Sequence, residues 1–283
     1  MFHFPIGVML DSFRQETREA VKTAAALGVQ GLQMYATTGE NAPENLVGGK
    51  RKELLQYVKD HGLQFSAICG DLGKAFIYPE RNIQLIDASK RIMDLAKELE
   101  TDVVTTHIGV IPADKNCDRY KIMQAAAYEL AQYADSMNAH FAIETGPEVA
   151  TTLRSFLDDL GSTGVAVNMD PANFAMVTKD DPVQAVYTLD KYIVHTHAKD
   201  GVNLKPCDPE KIYSEMDHGA WDAEPAFKEV PLGQGAVDFP RYLKALEEIG
   251  FKGFLTIERE VGQDPVQDIG LAAEYLRKLI KAY

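Results

Sequence analysis

Short apolar runs and longer stretches of helical period alternate eight times along this chain. The strand-like runs are FPIGVM, VQGLQMY, LQFSAIC, DVVTTHIG, HFAIE, GVAVNMD, KYIVHTH and GFLTIE. Between and after them lie segments such as ETREAVKTAAAL (stopped by Gly28), KRKELLQYVKDH, DRYKIMQAAAYELAQYADSM and FPRYLKALEEIG, with DIGLAAEYLRKLIKAY closing the chain. Strict alternation of this kind indicates parallel strands joined by helical crossovers. Eight such units predict α/β architecture as a single (β/α)8 TIM barrel. An open doubly wound sheet is the competing arrangement, but no strand runs into a G-x-G-x-x-G or P-loop turn. A barrel of roughly 250 residues forms one domain, so the 283 residues are expected to make a single domain over 1–283.

One connection breaks the rhythm. After His197 the chain runs to Asp238 before the next helical pattern, and this stretch holds the only tryptophan, Trp221, beside His218 and Asp222. Ordered loops of that length are commonly lids or binding loops, so an active-site loop is expected at about 198–237, with Trp221 as a substrate contact.

Charge and cysteine usage narrow the partners. Lys and Arg total 29 against 42 Asp and Glu, a net charge of −13. An acidic surplus disfavours nucleic acid, which is held by clustered Lys and Arg. No apolar run approaches the length of a membrane span, and the first residues lack the basic region of a secretory leader. Three scattered cysteines (Cys69, Cys117, Cys207) do not form a disulfide framework. The expectation is a cytoplasmic chain working without nucleic acid or membrane.

The chemistry lies at the strand ends. In barrels of this class the C-terminal ends of the strands build the active site. Here the apolar runs end in His107, Glu144, Asp170, His197 and Glu258. Glu144 to Asp170 is 26 residues and Asp170 to His197 is 27, one strand–helix unit each; the 61 from His197 to Glu258 are a unit plus the long loop. An acid at a strand end often caps the following helix, and a strand histidine often serves only the core. Four adjacent strands ending this way are harder to explain by capping. Glu144, Asp170, His197 and Glu258 are therefore predicted to hold one divalent metal ion. Three carboxylates and an imidazole favour Mn²⁺, with Mg²⁺, Co²⁺ or Zn²⁺ able to substitute.

At these residues the chain resembles the xylose-isomerase-like TIM-barrel superfamily, which includes ketose epimerases, isomerases, inosose dehydratase and the endonuclease IV branch. FAIETGPE, VNMDPANF, VHTHAKDG and LTIEREVG carry the resemblance, with VTTHIGVIP in support. It implies the same four metal ligands and makes Glu144 and Glu258 a catalytic pair on opposite faces of a substrate carbon. It implies a small carbohydrate substrate and a divalent-metal-dependent sugar isomerase or epimerase, possible as a homo-oligomer. Two departures stand out. Asn173 replaces a histidine of the ketose 3-epimerases, and AKDGVNLKP lacks their substrate-binding arginine. Asn173 and Cys69 also stand where the endonuclease branch places two of its additional metal-binding histidines.

Two alternatives remain open at this level: a dehydratase or lyase of a keto-inositol or keto-glycoside, and a non-catalytic sugar-binding barrel or partner-dependent subunit. His107 is expected to bond a substrate hydroxyl or tie two loops together. Lys199, on the strand face of His197, is expected to hold a substrate anion or pair with a neighbouring acid. Glu260 is expected to pair with Arg259 or a loop lysine, and Glu148 to serve the start of the next helix.

Overall fold

A computed structural model describes residues 2–213 and 224–282. Eight parallel strands close into a barrel: β1 (Ile6–Met9), β2 (Gly31–Tyr35), β3 (Gln64–Cys69), β4 (Val103–Thr106), β5 (His140–Glu144), β6 (Val165–Met169), β7 (Ile193–Ala198) and β10 (Leu255–Ile257). Neighbours follow chain order, and β10 pairs with β1 to close the ring.

The helices α1 (Thr17–Ala26), α2 (Gly49–Asp60), α3 (Pro79–Glu98), α4 (Asp118–Ser136) and α5 (Ala150–Leu160) fill the crossovers of the first half. After β6 come the short α6 (Pro171–Asn173), a π-turn over Phe174–Thr178, and α7 (Pro182–Leu189). The last units carry α9 (Phe239–Glu248) and α10 (Pro265–Ala282). Each crossover helix lays an apolar face on the strands. In α9 the buried Phe239, Leu243 and Leu246 recur at helical spacing. They belong to one buried core with Leu32, Ile68, Val104, Phe141, Val167 and Ile257, all nearly inaccessible to solvent. Burying large side chains at about 1.5–3 kcal/mol each fixes the barrel wall, and with it the positions of the strand ends.

The helix starts follow local chemistry. Asp181 caps α7 through Val183 N–H at 2.9 Å, and Asp238 caps α9 through Arg241 N–H at 3.2 Å. A side-chain oxygen there meets a donor that the first helical turn leaves unpaired. Gly161, at φ +62°, ends α5 in the left-handed conformation that a side chain would strain.

The described parts of the long connection after β7 carry more regular structure than the sequence suggests. It contains β8 (Asp200–Asn203), a short α8 (Glu210–Tyr213) and β9 (Phe227–Val230), with β8 and β9 pairing antiparallel. Alternating, weakly apolar residues conceal this ribbon in sequence. Trp221, His218 and Asp222 lie outside the described residues.

Candidate metal centre and active site

Glu144 ends β5, Asp170 follows β6, His197 lies near the end of β7, and Glu258 follows β10. Parallel strands in register carry all four to the same rim of the barrel. One donor atom from each lies within 4.8 Å of the others, and all four residues are buried. His197 Nδ1 sits 3.6 Å from Glu144 Oε1, 3.5 Å from Asp170 Oδ2 and 3.4 Å from Glu258 Oε2.

Two of these atoms fit a cation for a reason of their own. His197 Nδ1 and Asp170 Oδ2 are buried without a hydrogen-bond partner, a condition that costs about 1–3 kcal/mol per group unless something satisfies it. Burial disfavours a charged His197, yet the carboxylates of Glu258 and Glu144 more than offset this and push its pKa well up. The cluster thus draws positive charge to its centre. The two readings of Asp170 coexist: Oδ1 accepts Ala172 N–H at 2.8 Å and Asn173 N–H at 3.0 Å, capping α6, while Oδ2 faces the cluster.

A surrounding layer holds these groups in place. His197 Nε2 lies 3.0 Å from Gln33 Oε1, and Gln33 Nε2 donates to Thr105 Oγ1 at 2.9 Å. The proton of His197 therefore belongs on Nε2 when Nδ1 acts as a ligand. Asn168 Nδ2 donates to Glu144 Oε2 at 3.2 Å, and Asn173 Nδ2 donates to Oε1 at 3.0 Å. His195 is a support group, placed between Asn168 Oδ1 at 2.9 Å and Thr256 Oγ1 at 3.0 Å. Burial, then the nearby His197, depress its pKa well below the usual range; neutral, it donates from Nδ1 and accepts at Nε2.

His107, Lys199 and Asn173, the described residues expected to contact substrate, each lie beside a carboxylate of the cluster. His107 Nδ1 meets Asp71 Oδ2 at 2.8 Å, tying the loops after β3 and β4 together. Its Nε2 is buried without a partner, 3.7 Å from Glu144 Oε1. Burial opposes its charge, but Glu144 and Asp71 push its pKa up to about 9. Lys199 is fully engaged: Nζ donates to Glu258 Oε2 at 2.9 Å and to Glu260. Of its two expected roles, pairing with an acid is the one seen. Glu260 pairs with this lysine rather than with Arg259, whose guanidinium turns to Glu229 and Asp268. Asn173 binds the Glu144 carboxylate directly. Glu148 does not serve the next helix: Asp180 Oδ2 accepts Ala150 N–H at the start of α5, while Glu148 Oε2 accepts Ile111 N–H at 3.1 Å. Glu148 thus reaches the loop after β4, where Ile111 lies.

Sequence reasoning missed Gln33 and Tyr213. Gln33 is a wholly buried polar residue inside an apolar strand, which was the available signal. Tyr213 had none, since the sequence around the one-turn α8 that it ends shows no period. Its ring packs 5.1 Å from that of His107, and a side chain at Gly146 would come within 2.9 Å of its hydroxyl.

The family model described as xylose isomerase-like TIM barrel matches residues 21–279. The chain belongs to this family. A solved xylose isomerase domain protein from Planctomyces limnophilus is 25% identical, with TM-score 0.80 over 99% of this chain and 98% of that one. An IolI protein with a bound zinc atom is 17% identical, with TM-score 0.76 over 99% of each chain. An E. coli 3-keto-D-glucoside 4-epimerase is 16% identical, with TM-score 0.73 over 97% of this chain and 99% of that one. Identities of 16–17% show the shared fold alone. An uncharacterized protein of Methanocaldococcus jannaschii is 23% identical over 206 residues, 68% of this chain and 62% of its own length. Among the described residues, no helix is long and apolar enough to cross a membrane.

Proposed function

We propose that this member of the family is a divalent-metal-dependent enzyme that isomerises or epimerises a keto-sugar or related polyol ketone. The observation that carries the reading is the convergence of Glu144, Asp170, His197 and Glu258 on one point, with two buried donor atoms left unpaired there. The zinc bound by the IolI protein and the named activity of the E. coli epimerase, both on this fold, support it. A bound divalent ion, Mn²⁺ by preference for this donor set, would polarise a ketone oxygen and acidify the neighbouring C–H.

The chain's own groups then move the proton. Burial works against a charged Glu144, but His107, His197 and Lys199 hold its carboxyl well below the usual range. It stays ionised and can accept a proton from carbon. The two amide donors from Asn168 and Asn173 fix its orientation. Glu258, held by Lys199, is the second base. Two carboxylates on opposite faces of one carbon invert it; one alone carries a proton between adjacent carbons. His107 Nε2 offers a donor for a substrate hydroxyl beside Glu144, against the Tyr213 ring.

Transfer of deuterium from solvent to substrate carbon tests this. Glu144→Gln and Glu258→Gln are expected to abolish exchange in D₂O with the fold intact by circular dichroism. Full exchange in both variants would contradict the mechanism. One observation favours a second reading, β-elimination: the Lys199 ammonium, 2.9 Å from Glu258, is a proton source beside a base. Elimination would show as enone absorbance in the ultraviolet.

A further inference from the structure

We infer that the substrate is an unphosphorylated ketose or cyclic polyol ketone; this rests on the sugar reading above and narrows its substrate class. Barrels of this fold hold phosphate with the loops after the seventh and eighth strands and an adjacent helix N-terminus. In this chain the corresponding places are filled by its own carboxylates.

After β7, the buried Asp200 takes four backbone donors: Gly201 N–H at 2.9 Å, Gly233 N–H at 3.0 Å, Gly235 N–H at 2.9 Å and Val237 N–H at 3.1 Å. Converging amides of this kind form an anion cradle. Here the anion is part of the chain. A side chain at Gly235 would come within 2.1 Å of that carboxylate, so the loop has closed on it.

After β10, the turn gives two carbonyls to a cation of this chain, and Glu260 N–H donates to Glu229 Oε2 at 3.3 Å. Arg14 donates to Glu260 O and to Gly262 O, each at 2.9 Å. At the start of α10, Asp264 Oδ1 accepts Gln267 N–H at 3.0 Å. Asp268 Oδ2 packs so close to Gly262 that a side chain there would meet it at 2.3 Å.

Among the described residues, no buried lysine or arginine is left spare to replace these cradles. Two basic side chains are buried among the described residues, Lys199 and Arg259. Each is matched by two carboxylates: Glu258 and Glu260 on Lys199, Glu229 and Asp268 on Arg259. The sequence of residues 214–223, SEMDHGAWDA, contains no Lys or Arg. A phosphate dianion entering here would meet carboxylates at each of these positions.

The test is ligand-observed NMR on the Mg²⁺-loaded protein with matched pairs: D-fructose, D-tagatose and D-ribulose, each against its terminal phosphate ester. At least one free ketose is expected to bind, tenfold or more tightly than its ester. A second arm titrates inorganic phosphate into the full chain without added metal while following the amides of Gly201, Gly233, Gly235, Val237 and Gln267. No saturable shift is expected at millimolar phosphate. An ester that binds as tightly as its free ketose, or saturable shifts at those amides, overturns the inference and leaves the sugar reading standing. Failure of every free and esterified ketose to bind, and of a free inosose in the same assay, overturns the sugar reading and this inference with it.

Discussion

His197 is turned by Gln33: Nε2 lies 3.0 Å from Gln33 Oε1, so Nδ1 points bare into three carboxylates. A ring without that partner keeps only the Asn168 amide, 3.3 Å from Nε2, and can carry its proton on the wrong nitrogen. Gln33→Leu, which keeps the bulk and removes the acceptor, is expected to weaken divalent-metal binding by about 10- to 100-fold. Isothermal titration with Mn²⁺ reads it. Unchanged affinity would mean that Gln33 has no hold on the ring.

Asp170 divides its two oxygens between a helix cap and the cluster, and two substitutions separate these duties. Asp170→Asn keeps an oxygen for Ala172 and Asn173 N–H and removes the charge. It should lose most metal affinity and little stability in the metal-free protein. Asp170→Ala should lose affinity and a further ~1 kcal/mol from the missing cap. Equal melting temperatures for the two metal-free variants would refute the capping role.

Glu148 makes stability depend on pH. Burial pushes its carboxyl up to about 8, against the Ile111 N–H that favours the charged form. The unfolded chain gives up this proton near 4.5, so between about 4.5 and 8 unfolding releases a proton and stability falls as pH rises. A shift of that size corresponds to a contribution on the order of 4 kcal/mol, present below pH ~4.5 and lost by pH ~8. Glu148→Gln keeps an acceptor and cannot ionise. Denaturant titrations across this range should show a flatter profile for the variant and higher stability than wild type at pH 8. Parallel profiles would contradict the assignment.

Gly146 is a steric requirement of the site. Its φ of +129° suits glycine, and a Cβ there would lie 2.4 Å from the Asn173 Cβ. Gly146→Ala should cost about 1–3 kcal/mol in backbone strain and displace Asn173 from Glu144. Reduced stability by denaturant titration, together with slowed solvent exchange into substrate, is the expected pair of results. Wild-type values for both would show that the turn has room to spare.

The barrel was legible because each strand and each helix must bury a face, and those faces repeat with their own periods. The four cluster residues were legible because they interrupt apolar runs at matching places in successive units. The ribbon of β8 and β9 was not, since two short strands with weakly apolar residues leave no period to read. Glu148 misled for a related reason: a carboxylate just before a helix looks like a cap, but Asp180, thirty residues beyond Ala150, reaches that helix start first. Lys199 shows a further limit. Its neighbours Glu258 and Glu260 are some sixty residues away in sequence, and only barrel closure brings them to it.

The most direct measurement of the central claim is anomalous X-ray diffraction at the manganese edge from crystals soaked in Mn²⁺. One peak per chain is expected, bounded by Glu144, Asp170, His197 Nδ1 and Glu258, and absent in His197→Ala crystals. A strong peak elsewhere with none among these four side chains, or no peak at saturating Mn²⁺, would contradict a metal-dependent enzyme built on this cluster.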